Sequence, residues 1–381
     1  MNSLSAFANK KIPFKGISLQ LMLLGTMSLS GVVKYVFCFA VVAIGCILGI
    51  KTIRLRFGRW SHKQSFRLVA PFLAIATIGL VIDLAQNESQ LVEGLKQTIM
   101  YLEPAVLAAI VLHYSNDDDE LIGVQLVSTI LIFFATSLPH FNANDLLEST
   151  AAFSFGLFSL FYLTMKKPGA FLVSLICLVL ANKRIALAAI AVASAVYLYL
   201  KISKHKKTWA VLFFSAFFVL VVLYFNAIYS GDLRNLFDKF GINSMGRLDL
   251  YPFFSDEYSL ILSLDKVGFG LGYVINKLNL IHYSSAAGNL HNDWLSLFIE
   301  AGIPSLVVLF VSTILIIRSL PFGKVAETTD ESCALLVAVL LYWQILWLTD
   351  NVTIYVFVLY PYYTILFSLL RRIERTQVAS E

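Results

Sequence analysis

Twelve stretches of this chain are apolar over too long a run, and with too little alternation, to be strands of a soluble core. They lie near residues 16–32, 34–50, 68–84, 98–113, 121–137, 150–165, 169–182, 185–200, 208–229, 292–317, 333–349 and 352–370. A bilayer core about 30 Å thick asks for about 20 apolar residues per helical span. In lipid only helices and closed barrels satisfy every backbone hydrogen bond, and runs without alternation select the helix. The chain is 58% hydrophobic and 14% charged, where a soluble domain carries about 25% charged residues. The expected fold is therefore an all-α polytopic membrane protein, with residues 1–381 as a single integral membrane domain.

Charge placement orients the spans. Lys10, Lys11 and Lys15 precede the first run much as in a secretory signal, but no small-residue cleavage site follows, so the reading is an uncleaved first helix. With both termini cytoplasmic, the inner side holds those three lysines, the basic loop Lys51–Arg67, Lys166, Lys167, Lys201–Lys207, Arg318, Lys324 and Arg371–Arg375. That is 20 of the 29 Lys and Arg residues, the asymmetry that the positive-inside rule reads as topology. The net charge of +5 is thus a topology signal and not a nucleic-acid footprint. Cys38, Cys46, Cys177 and Cys333 all fall inside apolar runs, where they act as small hydrophobes rather than disulfide partners or metal ligands.

One connection stands apart. Residues 230–290, from Ser230 to Leu290, form an outer loop of roughly sixty residues between the ninth and tenth spans, where ordinary connections run about 4 to 6. Leu248, Tyr251 and Phe254 recur in it at helical spacing, which predicts short helices on or dipping into the membrane surface. No similarity between the two halves of the chain suggests the inverted repeats of a secondary transporter.

The candidate residues cluster on that outer side. Lys183 and Arg184 join the seventh and eighth spans; they either mark a tight interfacial turn by snorkelling or offer a rigid cation to a phosphate. Two cations outside run against the topological trend, which favours the second reading. Arg247, in Gly246-Arg247-Leu248, is a solvated loop charge or the second arm of a diphosphate clamp. His291 opens the tenth span and is either structural or the base that takes a proton from a hydroxyl near neutral pH. Asn292 and Asp293 read first as helix N-caps. Glu300 lies seven residues on, buried against the bundle, with Gly302 and Pro304 predicting a kink. Gly268-Phe269-Gly270-Leu271-Gly272 lacks the flanking strand and helix of a nucleotide-binding unit. Asp117-Asp118-Asp119-Glu120 falls on the cytoplasmic side and reads as a solvated charge run. No outer cluster of His and carboxylates has metal-ligand spacing, so no metal site is indicated.

Taken in order, Arg184, then Gly246-Arg247-Leu248 with Gly268–Gly272, then His291-Asn292 with Glu300-Ala301-Gly302 resemble the O-antigen polymerase and O-antigen ligase superfamily. The likeness covers roughly residues 182–310. It departs at Lys183, where serine is usual, and in lacking the proline usual before the glycine stretch. The resemblance implies a glycosyltransferase of GT-C-type architecture in the bacterial inner membrane, working without a metal or other cofactor. The implied reaction is an inverting transfer from an undecaprenyl-diphosphate-linked glycan at the periplasmic face. His291, Arg247 and Arg184 would be catalytic; Arg184, Arg247 and Lys183 would bind the diphosphate; Asn292, Asp293 and Glu300 would support them. The implied partners are lipid-linked oligosaccharide donor and acceptor, membrane lipid and a chain-length regulator protein, with no nucleic acid. His-Asn-Asp-Trp-Leu and Asp350-Asn351 look more like polymerases than ligases. A lipid-linked sugar flippase, the competing class, would line the bundle with mid-membrane polar residues.

Overall fold

The computed structural model describes residues 16–28, 32–56, 59–86, 90–115, 117–140, 147–241, 247–254, 268–280, 290–323 and 327–380. Among them every regular element is helical. The helices are α1 (Ile17–Ser28), α2 (Val32–Arg56), α3 (Arg59–Gln86), α4 (Leu91–Tyr114), α5 (Asp118–Ser137), α6 (Ala151–Thr164), α7 (Pro168–Leu180), α8 (Arg184–Ile202) and α9 (Lys206–Tyr229). Three short ones follow, α10 (Asp232–Lys239), α11 (Arg247–Leu250) and α12 (Tyr273–Leu280), then α13 (Asp293–Ser319), α14 (Glu327–Leu346) and α15 (Val356–Ser380). Eight of these are long and apolar enough to cross a membrane; α1, α2, α6 and α7 contribute shorter apolar stretches. Each of the twelve apolar runs is thus carried by a helix of its own. The protein is an all-helical polytopic membrane protein.

One boundary differs from expectation. The basic stretch Lys51–Arg67 is not a loop: α2 runs to Arg56 and α3 starts at Arg59. Arg and Lys are good helix formers whose long stems reach water from beyond the apolar run, so helices extend past the spans. α15 extends likewise, bringing the Glu374 carboxylate to accept from the backbone N–H groups of Trp60 (2.8 Å) and Ser61 (3.2 Å). Lys10, Lys11, Lys15 and the side chain of Cys46 lie outside the described residues, whereas Cys38, Cys177 and Cys333 are buried free thiols.

Lipid tails are as apolar as leucine, so packing and polar contacts, not water exclusion, hold spans together. Packing concentrates on α14 and α15, whose apolar windows are 83% and 89% buried, against 28% for α9. α15 lies along α4, and α14 along α8. α13 packs on α3 and α9 and is bent where expected: Gly302 takes φ 68° and ψ −164° inside the helix. The hydroxyl of Ser305 spans that break, within hydrogen-bonding distance of the carbonyls of Leu297 (3.1 Å) and Gly302 (2.7 Å).

The two ends of the bundle differ in character. At the end carrying the α2–α3 junction, Arg371 meets Asp118 at 3.1 Å and Arg372 meets Asp119 at 2.6 Å. Asp117 caps α5 by accepting from Asp119 and Glu120 N–H groups. The acidic run is therefore spent on capping and pairing instead of being merely solvated, because α15 outlasts its apolar stretch by enough turns to deliver two arginines. Lys206 and Lys201 pair with Asp330 and Glu331 at 2.6 Å each. At the opposite end lie α10 to α12 of the long loop, its short helices as expected. Leu248, Tyr251 and Phe254 are buried, and Lys277 stands over the rings of Phe254 (5.1 Å) and Tyr273 (5.9 Å).

Candidate functional site

The glycine-rich segment of the loop folds into the bundle. Leu271 is fully buried where α3 and α4 carry Gly79 and Gly94; a Cβ on Gly79 would overlap Leu271, and one on Gly94 would stand 3.0 Å from its carbonyl. Gly268, Gly270 and Gly272 all have positive φ, a conformation open to glycine at little cost. A Cβ on Gly270 would also overlap the Asp83 carboxylate. The segment docks on α13 through Phe269 and Gly270 N–H groups donating to the Ile299 (3.0 Å) and Glu300 (2.9 Å) carbonyls. Glu300, expected to be buried, is buried, and its function here is concrete. One carboxylate oxygen accepts from the Gly272 (3.0 Å) and Val274 (3.3 Å) N–H groups, the other from Gln97 Nε2 (2.9 Å).

The turn opening α13 is the second half of the site. His291 has φ 53°; Asn182, just before Lys183 and Arg184, has φ 45°. Left-handed backbone at a non-glycine residue costs free energy, of order 1 to 3 kcal/mol, and persists only where its surroundings enforce it. Here they do. The Asp293 N–H donates to the Asp350 carbonyl (3.3 Å), and the Asp293 carboxylate accepts from Thr353 N–H (2.9 Å) and Oγ1 (2.6 Å). Trp294 Nε1 donates to the Gln344 carbonyl at 2.9 Å. Asn292 is the N-cap, accepting from Leu295 N–H at 2.9 Å. Asp293, read as a second cap, instead pins the α14–α15 connection, because that connection offers two donors and the cap is already filled.

The His291 imidazole is 28% exposed and its Nδ1 stands 3.9 Å from Asp350 Oδ1, beyond hydrogen-bond reach. Nδ1 is buried and makes no hydrogen bond with any described residue, as are the side-chain amide nitrogens of Asn292 and Asn351. Asp350 is buried and accepts from the Asn351 N–H (2.8 Å) and the Tyr355 hydroxyl (3.1 Å). Buried polar groups are nearly always satisfied, so these three, two in the turn before α13 and one in the α14–α15 connection, make this the candidate place for a polar ligand.

Cations complete the picture. α8 and α14 run antiparallel with Lys201 on Glu331. Arg184 lies seventeen residues before Lys201, and Leu348 seventeen after Glu331, so at equal rise per residue Arg184 is level with the Leu348–Asp350 turn. At this end Lys34 donates to the Ile354 carbonyl (3.2 Å), Lys96 and Lys183 pair with Glu93 (2.5 Å) and Glu148 (2.7 Å), and Arg234 pairs with Asp249. Arg184 is exposed and has no partner among the described residues. Arg247 begins α11, but its side chain lies outside the described residues.

Sequence reasoning reached His291, Asn292, Asp293 and Glu300 and missed what they touch: Gln97, Tyr101 and Thr353, with Asp350 noted only as a signature. The one available signal was polarity inside apolar runs, at Gln97 and Tyr101 one turn apart. Among the described residues no three His, Cys, Asp or Glu side chains are grouped to hold a metal. Residues 169–310 match the model of the family described as O-antigen ligase, a span that holds Arg184, Arg247, His291 and Glu300. No curated protein matches the chain.

Proposed function

We propose that the chain is a member of the O-antigen ligase and polymerase superfamily, whose model matches residues 169–310, and that it is the polymerase of surface-polysaccharide synthesis. Its reaction is the transfer of a glycan from undecaprenyl diphosphate onto a lipid-linked repeat unit at the periplasmic face of the inner membrane, both termini being cytoplasmic. The observation that carries this reading is the His291 turn, a partly exposed imidazole held in a strained backbone level with an arginine that has no partner among the described residues.

The chemistry follows from those groups. An acceptor hydroxyl attacks the anomeric carbon from the side opposite the diphosphate, so configuration inverts. Its proton passes to His291 as the new carbon–oxygen bond forms. The bond to the diphosphate breaks with its electron pair leaving on phosphate oxygen. That charge is met by Arg184 and Arg247, and no protonation of the leaving group is needed. Lys183, engaged with Glu148, adds field at the clamp. Asn292 and Asp293 hold the His291 turn, and Glu300 seats the glycine segment, with no metal in any step. The proposed charged groups stand at span ends or in the long loop, Arg184 and His291 at the starts of α8 and α13 and Arg247 in the loop, which supports transferase over flippase.

The family description, O-antigen ligase, favours a second reading in which the finished glycan goes to the lipid A core. Complementation separates the two. In a strain lacking its polymerase, the chain should turn a single repeat on the core into a ladder; a ligase should instead restore ladder to a strain whose core carries none. Normal insertion and full ladders from Arg184→Ala, Arg247→Ala and His291→Ala alike would remove the site assignment.

A further inference from the structure

The two halves of the site hang on one helix, α13, but they are also joined through a different one. Gln97 and Tyr101 sit one turn apart on α4, both buried. Gln97 Nε2 donates to the Glu300 carboxylate (2.9 Å) and to the Tyr101 hydroxyl (2.6 Å). The Tyr101 hydroxyl faces the Thr353 side chain, where α4 packs against residues 352–354, and Thr353 Oγ1 donates to Asp293 at 2.6 Å. Gln97 and Thr353 thus each bond a carboxylate of α13, Glu300 and Asp293, with Tyr101 between them. Glu300 seats the glycine segment, and Asp293 with Thr353 fixes the turn that presents His291. Neither Gln97 nor Tyr101 lies within the family-matched residues.

We infer that Gln97 and Tyr101 are positioning residues for the proposed transfer, a buried bridge that sets the glycine segment of the long loop in register with His291. The inference rests on the transferase reading. Polar chains of this kind polarise one another and act as a unit, so cutting any link frees both ends. Tyr101→Phe removes one hydroxyl and keeps the ring that packs on Phe72 at 5.6 Å. Tyr360→Phe is the matched control: its hydroxyl is equally buried and donates to Gln20 of α1 at 3.0 Å, a helix the bridge does not touch.

The test uses the full-length protein in lipid nanodiscs with a polyprenyl-diphosphate oligosaccharide as donor. Tyr101→Phe should lower turnover at least tenfold with the donor KM within threefold, because the arginines are untouched. Tyr360→Phe should change neither. Gln97→Met should match Tyr101→Phe, and the double variant should be no slower than either single one, whereas independent sites would multiply. Amide exchange over residues 347–354 should quicken in Tyr101→Phe and not in Tyr360→Phe. Multiplying effects, or a Tyr101→Phe protein as fast as the Tyr360→Phe control, would overturn the bridge. A wild-type protein that inserts and transfers nothing would instead overturn the transferase reading beneath it.

Discussion

At the end of the bundle that carries Arg371, charged side chains close one helix on another; around His291, several buried polar atoms have no hydrogen bond to a described residue. Arg371 meets Asp118 while also donating to the Leu112 carbonyl at 3.0 Å, and Arg372, Lys201 and Lys206 each meet a carboxylate. Those charges close helices against one another. Around His291, by contrast, the imidazole Nδ1 and two amide nitrogens are buried without hydrogen bonds to described residues, and Arg184, level with them along the bundle, is exposed and has no partner among the described residues. A buried polar group without a partner costs roughly 1 to 3 kcal/mol, so the open atoms around His291 are held there at a cost. Ion pairs mark the structural end, and the uncommitted groups around His291 mark the end proposed to receive substrate.

That contrast can be broken by experiment. The largest effect should come from Arg184→Ala with Arg247→Ala: removing both charges proposed to meet the leaving diphosphate should cut transfer at least about 1000-fold, since one preorganised donor alone is worth about 100-fold to 1000-fold. Thermal unfolding in detergent should barely change, and a large drop in melting temperature would place these arginines with the structural set. Arg371→Leu should do the reverse. Removing the buried guanidinium, which bonds the part-buried Asp118 and the Leu112 carbonyl, should cost about 1 to 3 kcal/mol of stability, read as a lower melting temperature, while turnover per folded molecule stays within a factor of two. Asn292→Ala, which removes the α13 cap, should cost about 1 kcal/mol and slow transfer several-fold by loosening the His291 turn. Smallest of all, Lys183→Ala should change stability by under about 1 kcal/mol, as for a partly exposed ion pair, and transfer less than threefold. A tenfold loss there would make Lys183 a direct phosphate ligand.

The same contrast explains what could be read in advance. Helix positions were legible because lipid leaves a continuous apolar run no alternative, and the kink at Gly302 and the buried Glu300 followed from residue type alone. Asn292 as a cap was equally local. The α2–α3 boundary was not, because basic residues mark water equally well in a loop or at a helix end. Contacts closing both ends were hidden by distance along the chain: Asp118 finds a partner 253 positions later, and Asp293 finds Thr353 sixty positions later. Thr353 has no sequence signal of its own. Asp118 and Asp119 look solvated until α15 proves long enough to reach them.

The seating of Leu271 between Gly79 and Gly94 also bears on how the molecule is made. Its receptacle, α3 with α4, leaves the ribosome well before the glycine segment, but the backbone partners of that segment, Ile299 and Glu300, leave after it. During synthesis the glycine segment therefore has one wall of its seat and lacks the other until α13 is inserted. The seat around Leu271, and with it the site proposed for transfer, is thus completed by a late helix closing over an early groove.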